Sequence, residues 1–523
     1  MRKLTFLAAS LSLLMACKTQ EKTVSSVSGN GQIPASYNQR EIFALSMLSN
    51  VPAATYALFT VVNTPLNNDQ QHYRADTLMI GFAKPIIDAT LANAIDTSVS
   101  GDTLRLSNWK RVWGPAVMSS NSSFLITSIL GLADPAFVSS ASMTIFQNTS
   151  VPGNYVVGIQ ATNPSSIKDW MTYDFNVKKQ ESWFWNTPAS GHISEGTYLG
   201  LTALLGLTSN NNVTAVQFLD SVVKNSTAQN NILITGHSLG GALSPAFALY
   251  MKHQLDSIGS GNNTFNDSVY CLSTAGATPG DTTFANYYNS VLGAHTIRIW
   301  NYYDLVPRGW DTTLLAAAMS NNGVGGLYSQ ASGSIIYDTG LNCNGVVSIP
   351  QSFTAVPTSA TINSVIATVI KRADSAPVPY RYICNNGLNF PGAATNGNSG
   401  FYISTDTTES GLDKLLFNAI NLAFGYQFNH SDFLFLSEEA AQHTDAYGLY
   451  FQTKGIHEYV KAKVQASPIS TFHFTCTPVY MPFVIGEDKN AASPKQTNGS
   501  MIPANMTPAE FIMAYIHCKS VLY

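Results

Sequence analysis

Charge is what this sequence has least of. Lys, Arg, Asp and Glu together supply 11% of its 523 residues, less than half of the share of about 25% usual in globular proteins. Asn, Thr, Ser and Gly take the polar positions instead. A formal net charge of -4, with no Lys/Arg block beyond the extreme N-terminus, leaves no electrostatic footprint for a nucleic acid. Metal-binding patterns are also missing. No His-Glu-x-x-His occurs and no cysteine pair has zinc spacing, so neither a catalytic metal nor a cofactor is expected. The apolar run near the start, Leu4 to Ala16, is too short to cross a bilayer as a helix, which takes about 20 residues.

That run has another use. Arg2 and Lys3 precede it, as in a secretory signal peptide, and its end, Leu14-Met15-Ala16-Cys17, resembles the lipobox of bacterial lipoproteins. The resemblance implies cleavage after residue 16, acylation of Cys17 and attachment to the bacterial outer membrane, on its periplasmic face or at the cell surface. Each buried methylene of an acyl chain adds about 0.8 kcal/mol to such anchoring. Residues 17–36 are then the lipidated cysteine and a polar tether without periodicity, and 37–523 the folded body. Of the six cysteines, Cys271 lies in a strand-like apolar run and is expected to be a buried thiol outside any bridge. Cys343, Cys384, Cys476 and Cys518 can form two bridges in three connectivities.

Between about Asn154 and Pro307, β-rich runs alternate with amphipathic segments, the pattern of a mostly parallel sheet covered by helices. Strands are expected at Tyr155–Ala161, Asn231–Thr235, Val269–Thr274 and His295–Trp300, and helices at Val213–Lys224 and Leu239–Leu255. Residues 37 to about 150 read as mixed helix and loop. Residues 312–427 read as an insertion, with helical spacing at Ile362, Val365, Ile366 and Val369 and again at Leu412, Leu415, Leu416 and Ile420. Thr507-Pro508-Ala509-Glu510 has the form of a capping box opening a last helix.

The chemistry centres on Asn231-Ile232-Leu233-Ile234-Thr235-Gly236-His237-Ser238-Leu239-Gly240-Gly241-Ala242-Leu243. A Gly-x-Ser-x-Gly alone arises easily by chance. Here it closes a buried strand and opens an apolar helix, so Gly236 and Gly240 permit a crowded turn that presents Ser238, while the Leu239 N–H faces a developing oxyanion. A serine hydroxyl needs a base, and the base needs a carboxylate. Asp304 sits just beyond a strand, at the carboxyl edge where sites of open α/β sheets gather.

With these residues the sequence resembles the class 3 lipases, α/β-hydrolases of the fungal-lipase type, over roughly residues 154–310. The resemblance rests on Gly236 to Leu243, on Thr274-Ala275-Gly276-Ala277-Thr278-Pro279-Gly280-Asp281, where Pro279 and Gly280 are adjacent unlike in the family's Gly-x-Pro-x-x-Gly, and on Asn301-Tyr302-Tyr303-Asp304-Leu305-Val306-Pro307. It implies an α/β-hydrolase fold and an acyl-ester hydrolase with Ser238 as nucleophile and Asp304 as triad acid. The base should follow Asp304 in the chain, which leaves His430, His443, His457, His473 and His517. His443 is preferred because Gln442-His443-Thr444-Asp445-Ala446-Tyr447 resembles the family's histidine with a Tyr four residues on, although the interval from Asp304, about 140 residues, is long for the family. His457 and His430 remain alternatives.

The resemblance also implies a second oxyanion donor after Val156-Val157-Gly158-Ile159-Gln160-Ala161-Thr162-Asn163; Thr162 fits the family's Ser or Thr, whereas Gln160 and Ala161 depart from its Arg-Gly. Beyond it, Ile167, Trp170, Met171 and Phe175 share one helical face, with Lys168, Asp169, Thr172 and Asp174 on others. The family implies a lid there; an ordinary packed helix fits the pattern equally. The partners expected are a lipid or other acyl-ester substrate and a membrane, reached through Cys17. Phospholipase or acyltransferase chemistry on the same triad, and a non-catalytic lipoprotein on a decayed hydrolase fold, are the other functions the sequence admits.

Overall fold

The structure, a computed structural model, describes residues 33–54, 56–58, 68–93, 104, 106–121, 136–163, 169–174, 176–185, 190–209, 211–226, 228–259, 268–301, 304–319, 332–339, 345–350, 359–383 and 443–466. Cys17, the four candidate bridge cysteines, His430, His473, His517, the 412–420 pattern and the capping box at Thr507 lie outside the described residues.

The chain starts with α1 (Gln39–Leu48), β1 (Tyr56–Leu58), α2 (Asn68–Ala92), β2 (Trp109–Asn121), β3 (Ala136–Asn148) and β4 (Asn154–Ile159). A hairpin of β5 (Gln180–Ser182) and β6 (His192–Ser194) leads to α3 (Glu195–Gly206) and α4 (Ala215–Asn225). Then come β7 (Asn231–His237), α5 (Leu239–Gly259), β8 (Ser268–Thr274), α6 (Thr282–Leu292) and β9 (Thr296–Asn301). The remaining elements are α7 (Thr312–Ala318), β10 (Ser332–Thr339), β11 (Gly345–Pro350), α8 (Ser359–Ala373), α9 (Asp445–Tyr450) and α10 (Lys454–Gln465).

Strands pair in the order β1-β3-β4-β7-β8-β9-β10-β11, with β2 also on β3. The four central strands, β4, β7, β8 and β9, run parallel, and antiparallel strands extend the sheet at both sides. Parallel neighbours need helical crossovers, which α5 and α6 supply. Successive strand residues feed opposite faces: Ile232 and Ile234 join the core under α3, α4, α5 and α6, while Leu233 between them joins the core under α1, α2 and α10. Both faces are therefore covered, which is why β7 and β8 carry the apolar runs Ile232 to Ile234 and Val269 to Leu272. A parallel centre with helices on both faces is the α/β-hydrolase arrangement.

One expectation is corrected. Residues 37 to about 150, read as mixed helix and loop, contain β2 and β3, each 13 residues long. Their strand pattern is hidden in two ways. In β3, Ser139, Ser140, Ser142 and Thr144 occupy buried positions, so apolar alternation fails. In β2, Pro115 interrupts the run, and the register shifts there between Trp113 and Ala116, a bulge that accommodates a residue with no N–H to give.

Candidate active site

The parallel register fixes where the site forms. Ile159 pairs with Gly236 and His237 with Thr274, so the turns leaving β4, β7 and β8 emerge together at the carboxyl edge of the sheet. Ser238 occupies the turn from β7 into α5 with φ of 56°, a left-handed conformation that a side-chain-bearing residue adopts only when its surroundings impose it. The surroundings are crowded backbone: a Cβ on Gly236 would lie 2.4 Å from the Gly240 carbonyl carbon, and one on Gly240 would lie 2.5 Å from the Ile159 oxygen. The Ser238 N–H donates to the Thr274 carbonyl at 3.1 Å and its carbonyl accepts from Ala242 at 2.9 Å, which pins the turn at both ends. Leu239 opens α5, where helix geometry leaves the N–H without an intrahelical acceptor.

Asp304 lies just past β9 and is fully buried. His443, 139 residues later, comes back to it, with Nδ1 at 2.8 Å from Asp304 Oδ2. The Tyr447 hydroxyl donates to the same oxygen at 2.9 Å and itself accepts the Asn301 N–H at 2.7 Å. The Val306 N–H donates to Oδ1 at 2.9 Å, so both carboxylate oxygens are held. Burial, and next the Asp304 charge, push the Tyr447 phenol well above its usual range, so it stays a donor. Arg298 ties the following segment back to β9 by donating to the Pro307 carbonyl at 2.8 Å, its guanidinium lying over the Tyr382 ring.

The other His443 nitrogen, Nε2, is buried and has no hydrogen-bond partner among the described residues. Its ring packs on that of His237, the residue before Ser238, with centroids 4.9 Å apart. Burial, and then the neighbouring His443, hold His237 well below the usual histidine range. It is therefore a neutral wall against which His443 rests, backed by Phe43 and Tyr447 edge-on. His457, by contrast, lies on α10 and lines a small cavity with Met47 and Val51 of the N-terminal segment.

Thr162 sits in the turn after β4, and its hydroxyl donates to Asp174 Oδ2 at 2.9 Å. Burial lifts the Asp174 carboxyl from 3.8 to about 7, with the Thr162 hydrogen bond and nearby His443 pulling the other way. The turn is held from behind: Ala161 N–H donates to Asn50 Oδ1 at 2.8 Å, Ser139 Oγ donates to Gln160 Oε1 at 2.6 Å, and Asn163 Nδ2 donates to the Ser139 carbonyl at 2.8 Å. Gln160, which departs from the family pattern, thus has a buried structural partner. Asp174 ends a single π-helical turn, Asp169–Asp174; Ile167 and Phe175 of the candidate lid face lie outside the described residues.

Thr162, Leu239, Ser238, Asp304 and His443 therefore converge at one sheet edge. Asp174, Asn50, Phe43 and the hydrogen-bonding role of Tyr447 were not legible in advance. Asp174 is one of several polar residues in an amphipathic stretch, and Asn50 and Phe43 fall in a region without a motif.

Residues 156–311 match the family model for lipase (class 3). The match takes in Thr162, Ser238, Leu239 and Asp304 and ends well before His443. A comparison with curated proteins gave no match. Among solved structures, the M37 lipase is similar at 20% identity over 83% of this chain and 97% of its own, with a TM-score of 0.48. A triacylglycerol lipase from Penicillium expansum shares 17% identity over 33% of this chain and 58% of its own, TM-score 0.24. The Lip2 lipase of Yarrowia lipolytica shares 15% over 48% of this chain and 78% of its own, TM-score 0.27.

Proposed function

We propose that the protein is a lipid-anchored serine ester hydrolase that cleaves acyl esters, acylglycerols foremost, through an acyl-enzyme. The observation that carries the reading is the His443 imidazole. One nitrogen is fixed on the buried Asp304, the other is buried with no hydrogen-bond partner among the described residues, and the ring packs on the residue preceding a serine held in a strained turn.

In this reading Ser238 Oγ attacks the ester carbonyl and its proton passes to His443 Nε2. Asp304 keeps Nδ1 protonated and stabilises the imidazolium that results. The backbone N–H groups of Leu239 and Thr162 receive the oxyanion. Collapse sends the proton from Nε2 to the leaving alcohol, and water, activated by the same imidazole, then releases the acid. His237 remains neutral beside the imidazolium and so adds no repelling charge. Covalent labelling by a fluorophosphonate tests the nucleophile: mass analysis should find the adduct on Ser238 alone, and a fully unlabelled, folded protein would count against the proposal.

Export and acylation at Cys17 belong to the same proposal and are supported by Leu14-Met15-Ala16-Cys17 behind Arg2 and Lys3. Cells fed a clickable palmitate should incorporate it into the wild type and not into Cys17→Ser. Equal incorporation in both would refute lipidation there.

A further inference from the structure

Away from Ser238, α2 and α3 face each other across a trough of about 760 Å3, within the range of small-molecule sites. Asp76, Thr77 and Ile80 line one wall at helical spacing, and Leu199, Ala203 and Gly206 line the other. The walls do not meet: a Cβ on Gly206 would find no atom within 4 Å. Val117 and Met118 of β2 and Tyr173 form an apolar floor. One wall and part of the floor come from α2 and β2, outside the lipase-like segment 156–311, and the rest of the lining, from Thr172 to Asn212, lies within it.

The charge of the lining selects its occupant. No Lys, Arg or His is among the described residues that line the trough, so this lining offers a carboxylate or phosphate no cation. Among the described lining residues the one carboxyl, that of Asp76, is a fixed acceptor. The Ser119 N–H donates to its Oδ1 at 2.7 Å, and Ser119 Oγ is in turn paired with His72 Nδ1 at 3.0 Å. Thr77 and Thr202 add hydroxyls, and Tyr73, 74% exposed, stands at the wall with a ring and a phenol. An apolar floor below hydroxyls and a carboxylate suits a chain with a head that donates hydrogen bonds. An anionic head would meet the Asp76 carboxyl, whose neighbouring histidine, His72, is engaged with Ser119.

From this lining we infer that the trough between α2 and α3 binds a neutral single-chain amphiphile, an acyl chain bearing a hydroxylated head as in a monoacylglycerol. The chain lies along Ile80, Met118, Tyr173 and Leu199, and the hydroxyls donate to Asp76. The inference does not rest on the catalytic reading, because binding is measured without turnover.

The test is calorimetric titration of the full-length Ser238→Ala protein with 1-monolauroylglycerol, kept below the concentration at which it self-associates. Gly206→Phe, placed in the same background, fills the trough from a position that touches nothing, so packing survives. Gly81→Phe adds the same ring on α2 at an open position outside the lining. The expected result is saturable binding that Gly206→Phe weakens tenfold or more and Gly81→Phe leaves unchanged, with laurate binding at least tenfold more weakly than the glyceride. Thr77→Phe, from the opposite wall at an exposed residue, should reproduce the loss and serves if Gly206→Phe does not fold. Undiminished binding in the trough-filling variants, or laurate binding as tightly as the monoacylglycerol, overturns the assignment. Loss in those variants, alongside a wild-type protein that hydrolyses no ester, keeps the site and removes the catalytic proposal instead.

Discussion

Asp174 is the residue at which the site and stability are coupled. Its carboxyl titrates near 7 in the folded protein against 3.8 ordinarily, so between about pH 4 and pH 7 the folded state holds more protons than the unfolded chain. Stability from this group is therefore complete below pH 4 and is lost as the pH rises through 7. Asp174→Asn keeps an oxygen that accepts from Thr162 and removes the titration. Its Tm relative to wild type should rise across pH 4 to 7 and level off above about pH 8. Parallel Tm profiles for the two proteins would show that the carboxyl is not buried as described. Tyr447 illustrates what a sequence conveys at this scale. Its spacing of four from His443 puts both on one side of a helical turn, but only the fold reveals that its hydroxyl reaches the same Asp304 oxygen as His443 Nδ1.

At the level of elements, the parallel strands were legible because strands buried on both faces carry unbroken apolar stretches, as Ile232 to Ile234 in β7 and Val269 to Leu272 in β8 do. The antiparallel β2 and β3 were not, because small polar side chains stand in the interior of β3: Ser139 Oγ donates to Gln160 and Ser140 Oγ to the Met118 carbonyl at 3.1 Å, while the buried hydroxyls of Ser142 and Thr144 have no partner among the described residues. A buried serine with a partner costs little, and a reading built on hydrophobic periodicity has no term for it. The same blindness covers the segment after α1, whose Asn50 holds the turn of Thr162. Asn50→Ala leaves the buried Ala161 N–H unpaired, a loss of about 1–3 kcal/mol. The expected outcome is a lower Tm together with a reduced kcat at little changed KM. An Asn50→Ala protein with wild-type Tm and kcat would mean that the turn is held without it.

Across the whole molecule, the site is assembled from ends that sequence distance separates. Arg40 Nε on α1 donates to the Phe451 carbonyl at 3.0 Å, and Phe43 stacks on Phe451 with centroids 4.3 Å apart while touching His237 edge-on. The N-terminal helix thus clasps the segment that carries His443 against His237, the strand residue that precedes Ser238. The lipase-like match, residues 156–311, ends before His443, which the fold nevertheless brings beside Asp304. The interval of 139 residues is compatible with the site because only the two ends need to meet. The most direct measurement of the account is kcat for a dissolved short-chain ester, compared among wild type, Ser238→Ala and His443→Ala, each shown to be folded by its thermal transition. Both variants should fall by about four orders of magnitude or more, since nucleophile and base act as one unit. Wild-type turnover in folded His443→Ala would contradict the assembly described, and wild-type turnover in Ser238→Ala would contradict serine catalysis altogether.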